Sequence, residues 1–135
     1  MKIKKHKYKS KLLIVEGSSV LVLQKKEDKK RYVLAGGFLK KKETPEEGLI
    51  REVYEETGVN LTIENIKYYA TNTIVDSNKN ALTRHYFLLI KNGQKFENNE
   101  PNKFKSLKWV KWTKAIKFIN PSDKNVIERL FSTII

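Results

Sequence analysis

Apolar residues fall along this chain in short runs separated by turn-forming residues. Lys11–Val15 and Val20–Lys25 are apolar runs on either side of Glu16-Gly17-Ser18-Ser19, the pattern of a β-hairpin. Arg31–Ala35 reads as a short strand that delivers the chain into Gly36-Gly37. The pattern then changes period. Leu49 and Val53 lie four apart with Ile50 and Tyr54 beside them, which predicts the apolar side of a helix. Thr44 is its N-cap, Pro45 its first helical residue, Glu47 the partner in a capping box, and Gly58 the residue just past its end. The helix is thus predicted over 45–57.

Beyond it, Leu61–Val75 is strand-like, the polar turn Asp76-Ser77-Asn78-Lys79-Asn80 follows, and Leu82–Ile90 is a second long strand. Asn92-Gly93 marks a turn. Leu107–Trp112 is a further strand and Ala115–Ile119 a short helical turn. Asn120-Pro121-Ser122-Asp123 opens a last helix carrying Val126, Ile127, Leu130 and Phe131 at helical spacing. Strands interleaved with two main helices predict an α/β fold with a mixed sheet covered on both faces. At 135 residues, with no linker, repeat or low-complexity segment, the chain reads as one domain over 1–135.

The first helix carries the chemistry. At ~100° per residue, Glu52, Glu55 and Glu56 share about a third of its circumference, and Glu43 precedes it within reach of the same side. Like charges at these spacings repel and raise one another's pKa. Hard divalent cations such as Mg²⁺ or Mn²⁺ relieve that repulsion and keep coordination positions free for phosphate oxygens. Arg51 is the one cation within the acidic set and is suited to pairing with a carboxylate to hold it in place. Gly36-Gly37 lets the backbone approach a metal or phosphate without an intervening Cβ.

Gly37, Glu43, Arg51-Glu52-Val53, Glu55-Glu56 and Gly58-Val59 fill all nine specified positions of G-x5-E-x7-R-E-U-x-E-E-x-G-U, where U is aliphatic. The stretch resembles a complete Nudix box, the signature of hydrolases that cleave a diphosphate linked to another moiety. The resemblance implies an α/β/α sandwich around a mixed sheet and a Mg²⁺- or Mn²⁺-dependent pyrophosphohydrolase. Glu52, Glu55 and Arg51 would carry catalysis, and Gly36, Glu43, Glu52, Glu55, Glu56 and Glu100 would form the metal site. A solvated Glu-rich helix is the plain alternative for the glutamates alone, and a domain that has lost activity is another. Two departures stand out: Ala35 replaces the proline that relatives place before the two glycines, and Gly48 sits mid-helix where alanine is usual.

Outside the box the likeness is looser. Lys25 occupies the place where relatives often carry a phosphate-contacting arginine, with a solvated strand-end lysine as the alternative. The stretch NNEPNKFKSLKWVKW is similar to one in relatives that hydrolyse nucleoside triphosphates, and Glu100, with Glu97 as competitor, is the late glutamate. The proline of ADP-ribose-specific members and the tyrosine of dinucleoside-polyphosphate members are replaced by Val75, Asp76 and Ser77, and the coenzyme A submotif is missing. By elimination the expected substrate is a nucleoside triphosphate, cut to monophosphate and pyrophosphate. Gly37 is expected at the substrate, and Tyr32, Asn72, His85, Phe87 and Asp123 are expected to form the base pocket. Asp123 competes as a helix N-terminal residue facing the macrodipole, and His85 as a packed histidine. Trp109 and Trp112 suit packing better than base stacking.

Charge changes the picture last. The net charge is +13, nearly all of the positive charge being lysine. Codon bias accounts for it, and so does a field that draws in polyphosphate or nucleic acid. Scarce arginine argues against RNA, so an RNA 5′-end hydrolase is kept as an alternative, beside a non-catalytic nucleotide-binding module. There is no cysteine, no run long enough to span a membrane, and no cleavage site after the short N-terminal apolar run. The expected protein is cytoplasmic, a monomer or homodimer.

Overall fold

The computed structural model describes residues 2–133. Its strands are β1 (Lys5–Leu13), β2 (Val15–Glu16), β3 (Ser19–Lys25), β4 (Tyr32–Val33), β5 (Ala35–Phe38), β6 (Ile66–Val75), β7 (Asn80–Leu89) and β8 (Phe104–Lys111). Its helices are α1 (Pro45–Thr57), α2 (Trp112–Ala115) and α3 (Pro121–Ser132), with single tight turns at Ile63–Asn65 and Ile116–Phe118. No helix among the described residues is long and apolar enough to cross a membrane.

The first sheet runs β5-β1-β7-β6 and is mixed: β1 is parallel to β7, while β5 and β6 are antiparallel to their neighbours. The second is built on β3, which pairs antiparallel with β2, β4 and β8. Strand alternation divides the core into two. Leu12, Leu21, Leu23 and Phe87 pack with Leu49 and Val53 of α1. Leu13, Val20, Val22 and Tyr86 pack with Val126, Ile127, Leu130 and Phe131 of α3. Successive strand residues point to opposite faces, so neighbours in sequence serve different layers. Helices thus cover both faces of the strands.

α1 has the expected bounds. The Thr44 side chain accepts from Glu47 N–H, Glu47 reaches back to Thr44, and Gly58 closes the helix in the left-handed conformation. Other boundaries move. β1 begins at Lys5 rather than Lys11, because its lysine-rich half pairs with β7 along Lys5–Leu13. The stretch expected as one strand from Arg31 is two, β4 in the second sheet and β5 in the first, with fully buried Leu34 between them. The strand expected from Leu61 starts at Ile66, and Trp112 opens α2 instead of ending β8. Tyr54, expected on the apolar side of α1, is 54% exposed, and Glu56 lies on the packed side.

Candidate active site

β5 and α1 build the site together. Gly36 and Gly37 lie on β5, opposite Lys11 and Ser10 of β1. A Cβ on Gly36 would stand 2.0 Å from the Ser10 carbonyl oxygen, and one on Gly37 would stand 2.7 Å from Glu52 Oε2. Two glycines therefore let β5 lie against β1 on one side and against a carboxylate of α1 on the other. The Gly36 N–H donates to Glu56 Oε1 at 2.8 Å.

Glu56 is 3% exposed. Burial raises its pKa to about 7; Glu52 and Glu100 add to the rise, and the Gly36 N–H and Lys11 oppose it. Glu100 comes close because its loop docks on the end of α1. Glu97 N–H donates to Thr57 O, Asn99 N–H donates to Glu56 O at 2.9 Å, and Glu100 N–H donates to Asn98 Oδ1. Glu100 is half-buried beside Lys103, whereas Glu97 is exposed.

Arg51 links the rest. Its Nε donates to Glu43 Oε2 at 2.7 Å and its Nη2 to Glu43 Oε1 at 2.9 Å. Nη1 lies 2.9 Å from Glu52 Oε1 and 3.4 Å from Glu55 Oε2, and Nη2 also reaches Phe38 O. The hydrogen bonds from Arg51 hold the Glu43 carboxyl down at about 2, and Arg51 is raised in turn, first by Glu43. Glu43 was expected as a metal ligand. In this arrangement both its oxygens face Arg51 and one also accepts the Lys40 N–H, so here it holds the arginine.

Glu52, Glu55 and Glu56 remain, all carboxylates, gathered between Arg51 and the Gly36 N–H. Among the described residues no three acidic or histidine groups already converge as a metal cage; Arg51 stands between Glu52 and Glu55. The donor set nonetheless fits a hard divalent ion, being oxygen throughout and carrying more negative charge than one guanidinium offsets.

The expected base-pocket residues separate by face. The register sets Asn72 opposite Arg84 and Thr71 opposite His85. Asn72 thus lies on the α3 face with Arg84 and Tyr86. His85 and Phe87 are on the α1 face, where Phe87 is buried in the core and His85 meets Thr71. They do not form one pocket with Asn72 and Asp123, because β-strand parity puts them through the sheet from it. Burial lowers the pKa of His85.

Asp123 is fully buried and occupied. Tyr86 Oη donates to its Oδ1 at 2.6 Å, Asn120 Nδ2 to its Oδ2 at 2.9 Å, and Asn120 Oδ1 accepts its backbone N–H. It orders the start of α3 and pushes the already buried Tyr86 hydroxyl further up. Tyr32 is a core residue edge-on to Phe118, its hydroxyl buried without a partner. Lys25 is half-buried at the end of β3, where the β3–β8 register shifts.

The same face holds residues that sequence reasoning missed. Lys9 pairs with Arg84 across β1 and β7, and Lys11 with Tyr86. Lys11 is buried with Nζ 3.3 Å from Leu34 O; Arg84 Nε and Asn72 Oδ1 are buried without a hydrogen bond, and Arg84 Nε lies 3.9 Å from Asp123 Oδ1. Burial lowers Lys9 to about 8, with Lys11 and Arg84 reinforcing it. Lysines at every second position leading into an apolar run were the available signal. The acidic edge at Gly36-Gly37 therefore adjoins a cationic face, an arrangement suited to a ligand whose phosphates bridge metal ions and fixed cations.

The NUDIX domain model matches residues 9–130. Solved structures share the fold. The MutT protein from Methanosarcina mazei superposes with a TM-score of 0.76 at 18% identity, covering 98% of each chain. The MutT NUDIX hydrolase from Burkholderia pseudomallei gives 0.73 at 18% identity, over 93% of this chain and 98% of that one. The E. coli dihydroneopterin triphosphate pyrophosphohydrolase gives 0.71 at 20% identity, over 93% and 97%. Comparison with curated proteins gives no match. A domain match spanning most of the chain, on a box whose glycines and glutamates meet as described, shows that the chain belongs to the NUDIX family and is a hydrolase of pyrophosphate bonds.

Proposed function

We propose that this protein is a metal-dependent pyrophosphohydrolase of nucleoside triphosphates, adding water across the linkage to give a monophosphate and pyrophosphate. The observation that carries the reading is the junction at β5, where Glu52 and Glu56 meet the Gly36-Gly37 backbone and Lys9, Lys11 and Arg84 lie on the adjoining face. Glu52, Glu55 and Glu56 would hold Mg²⁺ or Mn²⁺, which supplies charge neutralisation at the phosphates and lowers the pKa of a bound water.

The chain's own groups do the positioning. Arg51 keeps Glu52 and Glu55 on one side of α1, with Glu43 fixing the guanidinium. Lys9 offers a cation beside β5 for a phosphate oxygen, and Lys25 lies close enough to influence it. Arg84 and Asn72, each with a buried atom that makes no hydrogen bond, would face the part of the substrate farther from the acidic helix. Such positioning is the main protein contribution in phosphoryl transfer. A triphosphate substrate is named for the E. coli dihydroneopterin triphosphate neighbour, which supports this class.

The test is a panel of nucleoside triphosphates, nucleoside diphosphate sugars and dinucleoside polyphosphates, assayed with Mg²⁺, with Mn²⁺ and with chelator. Triphosphates should release pyrophosphate, and only with metal. Release of orthophosphate alone, or turnover confined to the sugar conjugates, refutes the triphosphate assignment.

A further inference from the structure

Beside the start of α1, the loop after β5 and the first half of β1 border an open hollow of about 510 Å³ on the α1 face. Its floor is aromatic. The Tyr8 ring stacks on His6 at 4.4 Å and 8°, and lies parallel to His85 at 6.3 Å and 7°. The histidines are oriented by hydrogen bonds, His6 Nε2 with Thr83 Oγ1 at 2.7 Å and His85 Nδ1 with Thr71 Oγ1 at 3.2 Å. Tyr8 is 42% exposed and His6 is exposed as well, so the His6 end of the stack opens to solvent.

The rim is cationic: Lys40, Lys41 and Lys42. Its loop is fixed to the frame. Leu39 N–H donates to Tyr8 O, Glu43 N–H donates to Lys40 O, and Lys40 N–H donates to Glu43 Oε1 at 2.6 Å. Lys42 is held at φ +71, a conformation that non-glycine residues adopt at a cost and that concentrates at functional sites. Glu43 is paired with Arg51 and Glu46 acts on His85, so Lys40, Lys41 and Lys42 outnumber the carboxylates about the hollow, while the Lys7 ammonium lies through the sheet over the Phe38 ring beside that of Lys9.

We propose that this hollow is a second nucleotide-binding site, separate from the hydrolytic one, holding phosphates at the lysine loop and a base on the Tyr8 stack. A preformed ring platform beside fixed cations is the combination that binds a nucleotide through base stacking and phosphate contact. A free mononucleotide and a single-stranded chain present the same chemistry.

Binding is followed by quenching of 2-aminopurine, once as the riboside 5′-monophosphate and once within a single-stranded hexaribonucleotide, in chelator so that the acidic helix holds no cation. The whole chain should quench saturably, and Glu52→Gln should bind alike. Tyr8→Ala should lose about tenfold in affinity, and the pair Lys40→Ser, Lys41→Ser should weaken binding and flatten its salt dependence, with thermal melting confirming that both are folded. Comparable affinity for the two probes assigns a mononucleotide, and much tighter binding of the hexamer assigns a chain. Absence of saturable quenching with either probe, or quenching unchanged in both folded variants, overturns the site.

Discussion

Arg51 grips Glu43 through a two-point fork, Nε to Oε2 at 2.7 Å and Nη2 to Oε1 at 2.9 Å, leaving Nη1 to reach Glu52. Lysine keeps the charge but cannot reproduce these planar contacts. Arg51→Lys should therefore lower kcat/KM about tenfold or more, the scale seen when support for metal ligands is lost. Glu43→Gln, which weakens the same grip from the other end, should follow it. If Arg51→Lys keeps parental kcat/KM while Arg51→Ala is inactive, charge alone matters and the orienting role fails.

Glu56 is buried with its carboxyl raised to about 7, beside Glu52 and Glu100. Glu56→Gln and Glu52→Gln should each cut turnover at least about 100-fold at saturating Mg²⁺, the upper end expected for ligand-site lesions. The metal-free Glu56→Gln protein should melt no lower than the metal-free parent at pH 8, because an amide needs no buried charge. Turnover near the parent in both variants would remove α1 from the reaction.

The two glycines of β5 should separate fold from activity. Gly36 has φ +126, and a Cβ there meets the Ser10 carbonyl at 2.0 Å. Backbone against backbone cannot give way cheaply, so Gly36→Ala should break the β1–β5 pairing and cost on the order of 3 kcal/mol or more by chemical denaturation, above the range for ordinary substitutions. The three atoms nearest the Cβ of Gly37→Ala all belong to the movable Glu52 side chain. That protein should fold with near-parental stability and lose activity. Equal stability losses in the two variants would contradict the distinction.

What the sequence disclosed was local. The ends of α1 were legible because Thr44, Pro45, Glu47 and Gly58 act on their own neighbours. The start of β1 was not, because Lys5, Lys7 and Lys9 alternate with His6, Tyr8 and Ser10 and neither set reads as apolar; only pairing with β7 reveals the strand. The acidic set of the site was legible from its spacing, but which carboxylate Arg51 would occupy depends on the loop bringing Glu43 back to the helix. The split of Asn72 from His85 and Phe87 depends on the β6–β7 register, which includes a shift between Tyr68 and Ala70 that no residue pattern announced.

Lys9 provides a test of the cationic face that does not depend on activity. Burial, reinforced by Lys11 and Arg84, lowers its pKa from 10.5 to about 8 in the folded chain. Below pH 8 the lysine is charged in both states, and the folded state bears the full penalty of holding that charge. Between pH 8 and 10.5 the unfolded chain binds more protons than the folded one, so this residue makes stability rise with pH. Above 10.5 both are neutral and the penalty is gone. Lys9→Met removes the charge and keeps an apolar stem of similar length. The variant should be more stable than the parent at pH 7, with the advantage shrinking through pH 9 and vanishing near pH 10.5. Urea midpoints of both proteins at these three pH values give the comparison, the difference cancelling titrations that they share. A variant less stable than the parent at pH 7, or an advantage that does not change with pH, would show that Lys9 is not held against its neighbours as a strained cation.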